Sequence, residues 1–169
     1  QLINDLKKAN DGLPLFFAVD EEGGSVSRLP EPLLTLPSAR RIGSSATPEL
    51  AEQLSEANGN MLKAFGFNMN FAPVLDVDSN PNNPVIGDRS YAATPELVTE
   101  FGQRTIAGLN RAGVVPVVKH FPGHGDTDTD SHTGLPIIEH HLDRLEQVEF
   151  APFREIVEAG KIDVVMAGH

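Results

Sequence analysis

Gly113-Val114-Val115-Pro116-Val117-Val118-Lys119-His120-Phe121-Pro122-Gly123-His124-Gly125 is the stretch from which the fold is read. Gly113 stops a helical pattern, Val114 to Val118 reads as a strand, and polar residues begin where the strand ends. The same unit recurs on both sides. Leu15 to Val19 is an apolar run that stops at Asp20, Phe67 to Leu75 reads as a strand ending at Asp76, and Ile162 to Met166 is a fourth, followed by His169. Thr47-Pro48-Glu49 supplies an N-cap, a first-turn proline and an acid matched to the helix dipole. Leu50, Leu54, Ala57, Met61 and Ala64 follow at helical spacing until Gly66. Thr94-Pro95-Glu96 caps a second helix, on which Val98, Phe101, Thr105 and Leu109 face one way. A third helix is predicted from Leu142 to Ala159, stopped by Gly160, and Gln1 to Asn10 reads as one face of a further helix.

Connections from helix to strand are one or two residues, whereas those from strand to helix reach about twenty, well above the usual few. In parallel α/β folds the carboxyl ends of strands are where ligands bind. Asp20, Asp76, Lys119, His120 and His169 all fall there. No glycine-rich phosphate fingerprint follows the first strand, and Glu21-Glu22-Gly23-Gly24 is acidic enough to repel a pyrophosphate. Four strands are half of an eight-stranded barrel, which typically needs about 250 residues. The expected fold class is therefore α/β, a partial (β/α)8 TIM-like barrel. Residues 1–169 are expected to form one segment of a single barrel domain, incomplete at both ends.

The 169 residues carry 13 basic and 24 acidic side chains, a formal charge of −11. That excess speaks against nucleic-acid partners, which need clustered Lys and Arg, and against anionic lipid. No apolar run approaches the length of a membrane span. With no cysteine there is no disulfide framework, thiolate nucleophile or cysteine zinc site. Trp is absent too, so any sugar must be held mainly by polar and charged groups.

Lys119 to His132 is the densest polar stretch, with three His, three Asp and one Lys on a loop rich in turn residues. Asp126-x-Asp128-x-Asp130 imitates the start of an EF-hand, but Ser131 replaces the required Gly and Ile137 the closing Glu. A metal site on His120, His124 and His132 is a second reading, weakened because Pro122 and Gly123 break the helix that would align the first two. The third is acid–base chemistry by Asp130 and His132. An imidazole titrates near neutrality, and a carboxylate bonded to its ring fixes the tautomer and raises its basicity.

Lys119-His120-Phe121-Pro122-Gly123-His124-Gly125, followed after four residues by Asp130-Ser131-His132, resembles the signature of family 3 glycoside hydrolases of the β-N-acetylglucosaminidase branch. Ala18-Val19-Asp20-Glu21-Glu22-Gly23-Gly24-x-Val26-x-Arg28-Leu29 is similar to that family's first sugar-binding loop. Asn70-Phe71-Ala72-Pro73-Val74-Leu75-Asp76-Val77 resembles the strand that follows, and Asn83-Pro84-Val85-Ile86-Gly87-Asp88-Arg89-Ser90-Tyr91 the next loop. The likeness runs from about Leu13 to His169, with Ser25 replacing a basic residue common in the first loop.

The resemblance implies a (β/α)8-like catalytic barrel and a retaining exo-β-N-acetylglucosaminidase acting on cell-wall muropeptides or chitin-like oligosaccharides. It implies His132 as general acid/base, polarised by Asp130, and contacts to the terminal sugar by Asp20, Arg89, Lys119 and His120, with Arg28 as a less firmly mapped contact. No cofactor is expected. Phosphate replaces water as acceptor in some relatives. The implied nucleophile is an Asp on a later strand-end loop. None of Asp20, Glu21, Glu22, Asp76, Asp78 or Asp88 matches that motif, so the 169-residue chain alone is expected not to turn over. Each contact has a blander alternative: Asp20 as a loop cap, Arg89 as a bridge to Asp88 or Asp76. His124 is expected to make a structural hydrogen bond, Gly23, Gly24, Gly123 and Gly125 to allow tight turns, and Asp126 and Asp128 to be solvated. Other readings of the whole are a non-catalytic sugar-binding module, a family 3 β-glucosidase and a metal-dependent hydrolase. Relatives are cytoplasmic in some bacteria and exported in others, which leaves localisation open. Uncovered sheet edges predict self-association of the segment.

Overall fold

The computed structural model describes residues 2–30, 32–129, 134–135 and 137–168. β1 (Ala18–Val19), β2 (Met69–Asn70) and β3 (Val115–Pro116) form a parallel sheet in that order, Ala18 opposite Met69 and Met69 opposite Val115. β4 (Val118–Phe121) pairs in parallel with β5 (Val165–Ala167). Val117 joins β3 to β4: its N–H lies 3.0 and 3.1 Å from the carbonyl oxygens of Asn70 and Ala72. A parallel bridge between Val74 and Lys119 ties the same run to the chain beyond β2. All the anticipated strand regions are therefore present and parallel, and the fold is α/β. The ladders are shorter than the apolar runs, because Pro73 and Pro116 have no N–H to contribute.

Six helices accompany the strands among the described residues: α1 (Leu2–Ala9), α2 (Ala39–Ser45), α3 (Pro48–Phe65), α4 (Pro95–Ala112), α5 (Leu142–Gln147) and α6 (Ala151–Glu158). Thr47 caps α3 by accepting the N–H of Leu50 at 3.2 Å, and left-handed Gly66 ends it. Thr94 occupies the corresponding place before α4 but makes no side-chain cap bond, contrary to expectation, and α4 starts on Pro95. The single helix expected from Leu142 to Ala159 is two. Pro152 would collide with the carbonyl of Val148 in a continuous helix, and the chain turns there before α6. Helix α2, inside the long loop after β1, escaped the sequence reading; it buries Ala39 and Ile42.

Val98, Phe101, Thr105 and Leu109 are buried on one face of α4 as the spacing predicts. Phe101 and Ile106 join Leu75, Val118, Phe153 and Ile156 in the core, each burial contributing about 1.5–3 kcal/mol. Tyr91 stacks on Phe101, ring centroids 5.8 Å apart, with its hydroxyl 2.8 Å from that of Thr105. Burial pushes the Tyr91 phenol up to about 12, against the smaller lowering from Thr105.

Helix α3 contradicts its pattern. Its buried residues are Ala51, Glu52, Ser55, Asn58, Gly59 and Leu62, not the predicted Leu50, Leu54, Ala57, Met61 and Ala64. The cause is close packing against α4. A Cβ on Gly108 would lie 2.3 Å from the carbonyl oxygen of Glu52, and one on Gly59 would lie 2.6 Å from the Ala112 methyl. Small residues let the two backbones meet, and of the larger apolar side chains of α3 only Leu62 is buried.

Candidate functional site

The carboxyl ends of the strands carry the charged residues. Asp20 follows β1, Asp76 follows the continuation of β2, Lys119 and His120 lie in β4, and Gly168 follows β5. All of these except the buried Asp76, together with Arg28 and Arg89 from the two long loops, surround a cleft of about 300 Å³, within the size range of small-molecule sites.

Lys119 is the centre of the site. Its side chain is 3% exposed, and its ammonium lies 2.7 Å from Asp20 and 2.5 Å from Glu22. Arg89 grips Glu22 in a fork, Nε to Oε2 and Nη2 to Oε1, both at 2.9 Å. Two cations and the Glu22 carboxylate thus satisfy one another largely out of water, with Asp20 joining from the cleft side, the condition under which buried charge is tolerated. Burial pushes the Glu22 carboxyl up, but the hydrogen bonds and charges of Arg89 and Lys119 outweigh it and hold it below its ordinary value. Burial likewise lowers the Arg89 guanidinium, and Glu22, followed by Asp76 and Asp20, raises it above the usual arginine range. Arg89 pairs with Glu22 rather than with Asp88 or Asp76, the partners considered from sequence. Asp20 is the open member, 39% exposed, so one carboxylate faces the cleft as a hydrogen-bond acceptor.

His120 completes the wall. Its Nδ1 is 2.6 Å from Asp76 Oδ2, and its Nε2 is 3.5 Å from Arg89 Nη2. The Lys119–His120 peptide is cis. Asp76 is fully buried, and its Oδ1 accepts the backbone N–H groups of His124 (2.7 Å) and His120 (3.3 Å). Arg28 stands at the rim; among the described residues its side chain reaches only the Ser27 carbonyl, at 3.4 Å. What fixes Arg28 is Glu21, whose Oε2 accepts its backbone N–H at 2.8 Å and the Ser27 hydroxyl at 2.9 Å. Gly23 (φ 95°) makes the turn that leads into this segment, where a Cβ would lie 2.6 Å from the Pro37 carbonyl.

Asp20, Arg89, Lys119 and His120 are therefore in one contact network, with Arg28 beside it. Asp130, His132 and His169 lie outside the described residues. His124 is buried, bonded to Thr127 through Nδ1 and to Asp76 through its N–H. Gly125 passes under Val77, where a Cβ would lie 1.7 Å from the carbonyl oxygen. Asp126 is not solvated as expected: it pairs with His140 and lies 3.9 Å from Arg144. Asp128 is exposed. His120 and His124 stand edge to face at 6.2 Å. No group of three metal-binding side chains occurs among the described residues. Glu22 was missed by the sequence reading, although its place in the acidic doublet beside Asp20 was the available signal.

An α/β protein that gathers its buried charges at the carboxyl ends of parallel strands, around one cleft, is of the class whose ligands bind at that end of the sheet. Residues 1–169 match the glycosyl hydrolase family 3 N-terminal domain, and the chain belongs to that family. Beta-hexosaminidase A of Pseudoalteromonas piscicida is 41% identical over 167 residues, 96% of this chain and 28% of that protein. The glycoside hydrolase family 3 β-N-acetylglucosaminidase from Paenibacillus sp. str. FPU-7 matches with a TM-score of 0.92 and 45% identity, over 98% of this chain and 31% of that one. NagZ from Neisseria gonorrhoeae, in complex with N-trifluoroacetyl-D-glucosamine, matches with a TM-score of 0.85 and 38% identity, over 92% and 47%. The chain thus spans between 28% and 47% of the length of these relatives.

Proposed function

We propose that this chain is the sugar-binding and acid/base segment of a (β/α)8-like barrel in a retaining exo-β-N-acetylglucosaminidase. Its substrates are cell-wall muropeptides or chitin-like oligosaccharides ending in N-acetylglucosamine. The observation that carries the reading is the closed network of Asp20, Lys119, Glu22 and Arg89 with His120 beside it. Fixed donors and acceptors, held in place by one another, suit the hydroxyls of one terminal sugar, and charged partners strengthen such bonds. The names of the Pseudoalteromonas and Paenibacillus relatives and the glucosamine derivative bound to the Neisseria protein support the choice of sugar.

In the proposed reaction Asp20, Arg89, Lys119 and His120 hold the terminal sugar, with Arg28 at the entrance. His132, polarised by Asp130, protonates the departing glycosidic oxygen and later deprotonates the incoming water. Imidazolium becomes neutral when it gives up its proton, so it adds no anion beside the anionic nucleophile. That nucleophile is assigned to a carboxylate outside residues 1–169. Self-association of the isolated segment is proposed from exposed Leu13, Leu15 and Phe16 beside β1; sedimentation independent of concentration would count against it.

The test is hydrolysis of an aryl β-N-acetylglucosaminide by the full-length gene product, with and without His132→Ala. Loss of most of the rate in the variant, with no effect of chelator on the wild type, is expected. A well-folded full-length protein without activity would instead favour a sugar-binding module.

A further inference from the structure

We propose that Asp76 is a positioning residue that locks His120 in its Nδ1–H tautomer, so that Nε2 serves the cleft only as a hydrogen-bond acceptor. The tautomer follows from the distribution of donors. Asp76 is completely buried and accepts on both oxygens: His124 N–H and His120 N–H on Oδ1, His120 Nδ1 on Oδ2. A carboxylate has no proton to offer, so the short contact of 2.6 Å requires the proton on Nδ1. On the other side of the ring, the Arg89 guanidinium stands 3.5 Å from Nε2. A guanidinium has only donors, so the nitrogen it faces is the accepting one, and Nε2 is that nitrogen.

The consequence is a two-part test for whatever occupies the cleft. An oxygen placed between His120 and Arg89 must accept from the guanidinium and donate to Nε2. A hydroxyl can do both; an ether oxygen or a fluorine can only accept. The geometry therefore selects a free hydroxyl at that point. This consequence rests on the sugar-binding reading above, whereas the tautomer itself does not.

Asp76→Asn separates the two. The isosteric amide keeps its oxygen on the two backbone N–H groups and turns its NH2 toward His120 Nδ1, which then has to accept. The imidazole proton moves to Nε2, where it meets Arg89 and can no longer take a hydroxyl proton. The experiment uses the full-length protein with 15N-labelled histidine, reading the tautomer of His120 from its two ring nitrogens at neutral pH, with His120→Ala to assign the signals. The expected result is Nδ1–H in the wild type and Nε2–H in Asp76→Asn. Loss of the charge-assisted bond lowers kcat/KM for an aryl β-N-acetylglucosaminide by about 10- to 100-fold. A purely structural Asp76 would give a loss additive with that of His120→Ala, whereas a positioning residue adds little once His120 is gone. An Nε2–H or doubly protonated His120 in the wild type would overturn the proposal, as would full additivity. If the wild type cleaves no aryl glycoside, the proposed activity falls, and the wild-type tautomer still decides the role of Asp76.

Discussion

The molecule contains two sets of ion pairs built from the same side chains in opposite surroundings. In the cleft, Lys119 and Arg89 are 3% and 18% exposed and share Asp20 and Glu22. On the outer layer, Arg104 and Arg111, 40% and 59% exposed, reach Glu52 of α3 from α4, with Glu49 and Glu56 nearby. The outer arginines are free to trade a carboxylate for water, and exposed pairs are weak for that reason. Lys119, Glu22 and Arg89 have little such exchange, because a charge lost there is not readily replaced by water. The bonds to Glu52, at 2.9 and 2.6 Å, are as short as those in the cleft. What distinguishes them is access to water.

Lys119→Ala should show the difference at its largest. It leaves Asp20 and Glu22 side by side without the ammonium between them and is expected to cost about 3–5 kcal/mol of stability, read by denaturant unfolding, together with loss of the sugar binding proposed above. Gly108→Ala addresses the outer layer by another route. Its Cβ would press on the Glu52 backbone at 2.3 Å, and an overpacking penalty of about 1–3 kcal/mol is expected. A penalty there, with none from the neighbouring ion pairs, would show that α3 and α4 are held by close contact rather than by charge.

Glu22→Gln probes the cleft through pH. The folded carboxyl is held below its ordinary 4.5. The stability this supplies is complete above the unfolded value and is lost as pH falls through the lowered folded value. The wild type should therefore lose stability more steeply than the variant below about pH 4.5; parallel curves would argue against the network. Tyr91 gives the opposite sign at the other end of the scale. Its phenol is raised to about 12, so stability should decline from about pH 10, where the unfolded chain ionises first, and level off near pH 12. Because Tyr91 is the sole tyrosine of the chain, its absorbance change can be followed directly. The smallest effect is reserved for Arg104→Ala, which should leave the melting temperature within error. A clear drop would mean that the outer pairs are less like exposed pairs than their setting indicates.

Much of this arrangement was legible in the sequence, for reasons that can be stated. Helix α4 was readable because its buried face is apolar and regularly spaced. Helix α3 misled because close backbone approach put Ser55, Asn58 and Gly59 inside, and no hydrophobic period records that. Asp20, Arg89, Lys119 and His120 were singled out by motif, and alternation of strand and helix placed Asp20, Lys119 and His120 at one end of the sheet. Glu22 had only its place in the acidic doublet to mark it, since its pairing is with Arg89, 67 positions away. Pro152 was in plain view inside the predicted third helix, and its breaking effect was not applied.

The bond between Lys119 and Asp20 joins residues 99 positions apart. On a ribosome adding about 5–20 residues per second, roughly 5–20 s separate their synthesis. During that interval the loop carrying Asp20 and Glu22 exists without the lysine that brings the two carboxylates together, and until position 89 Glu22 lacks its arginine as well. The cleft is thus among the last features the growing chain can assemble, and a pause before position 119 would prolong the time its acidic half stands alone.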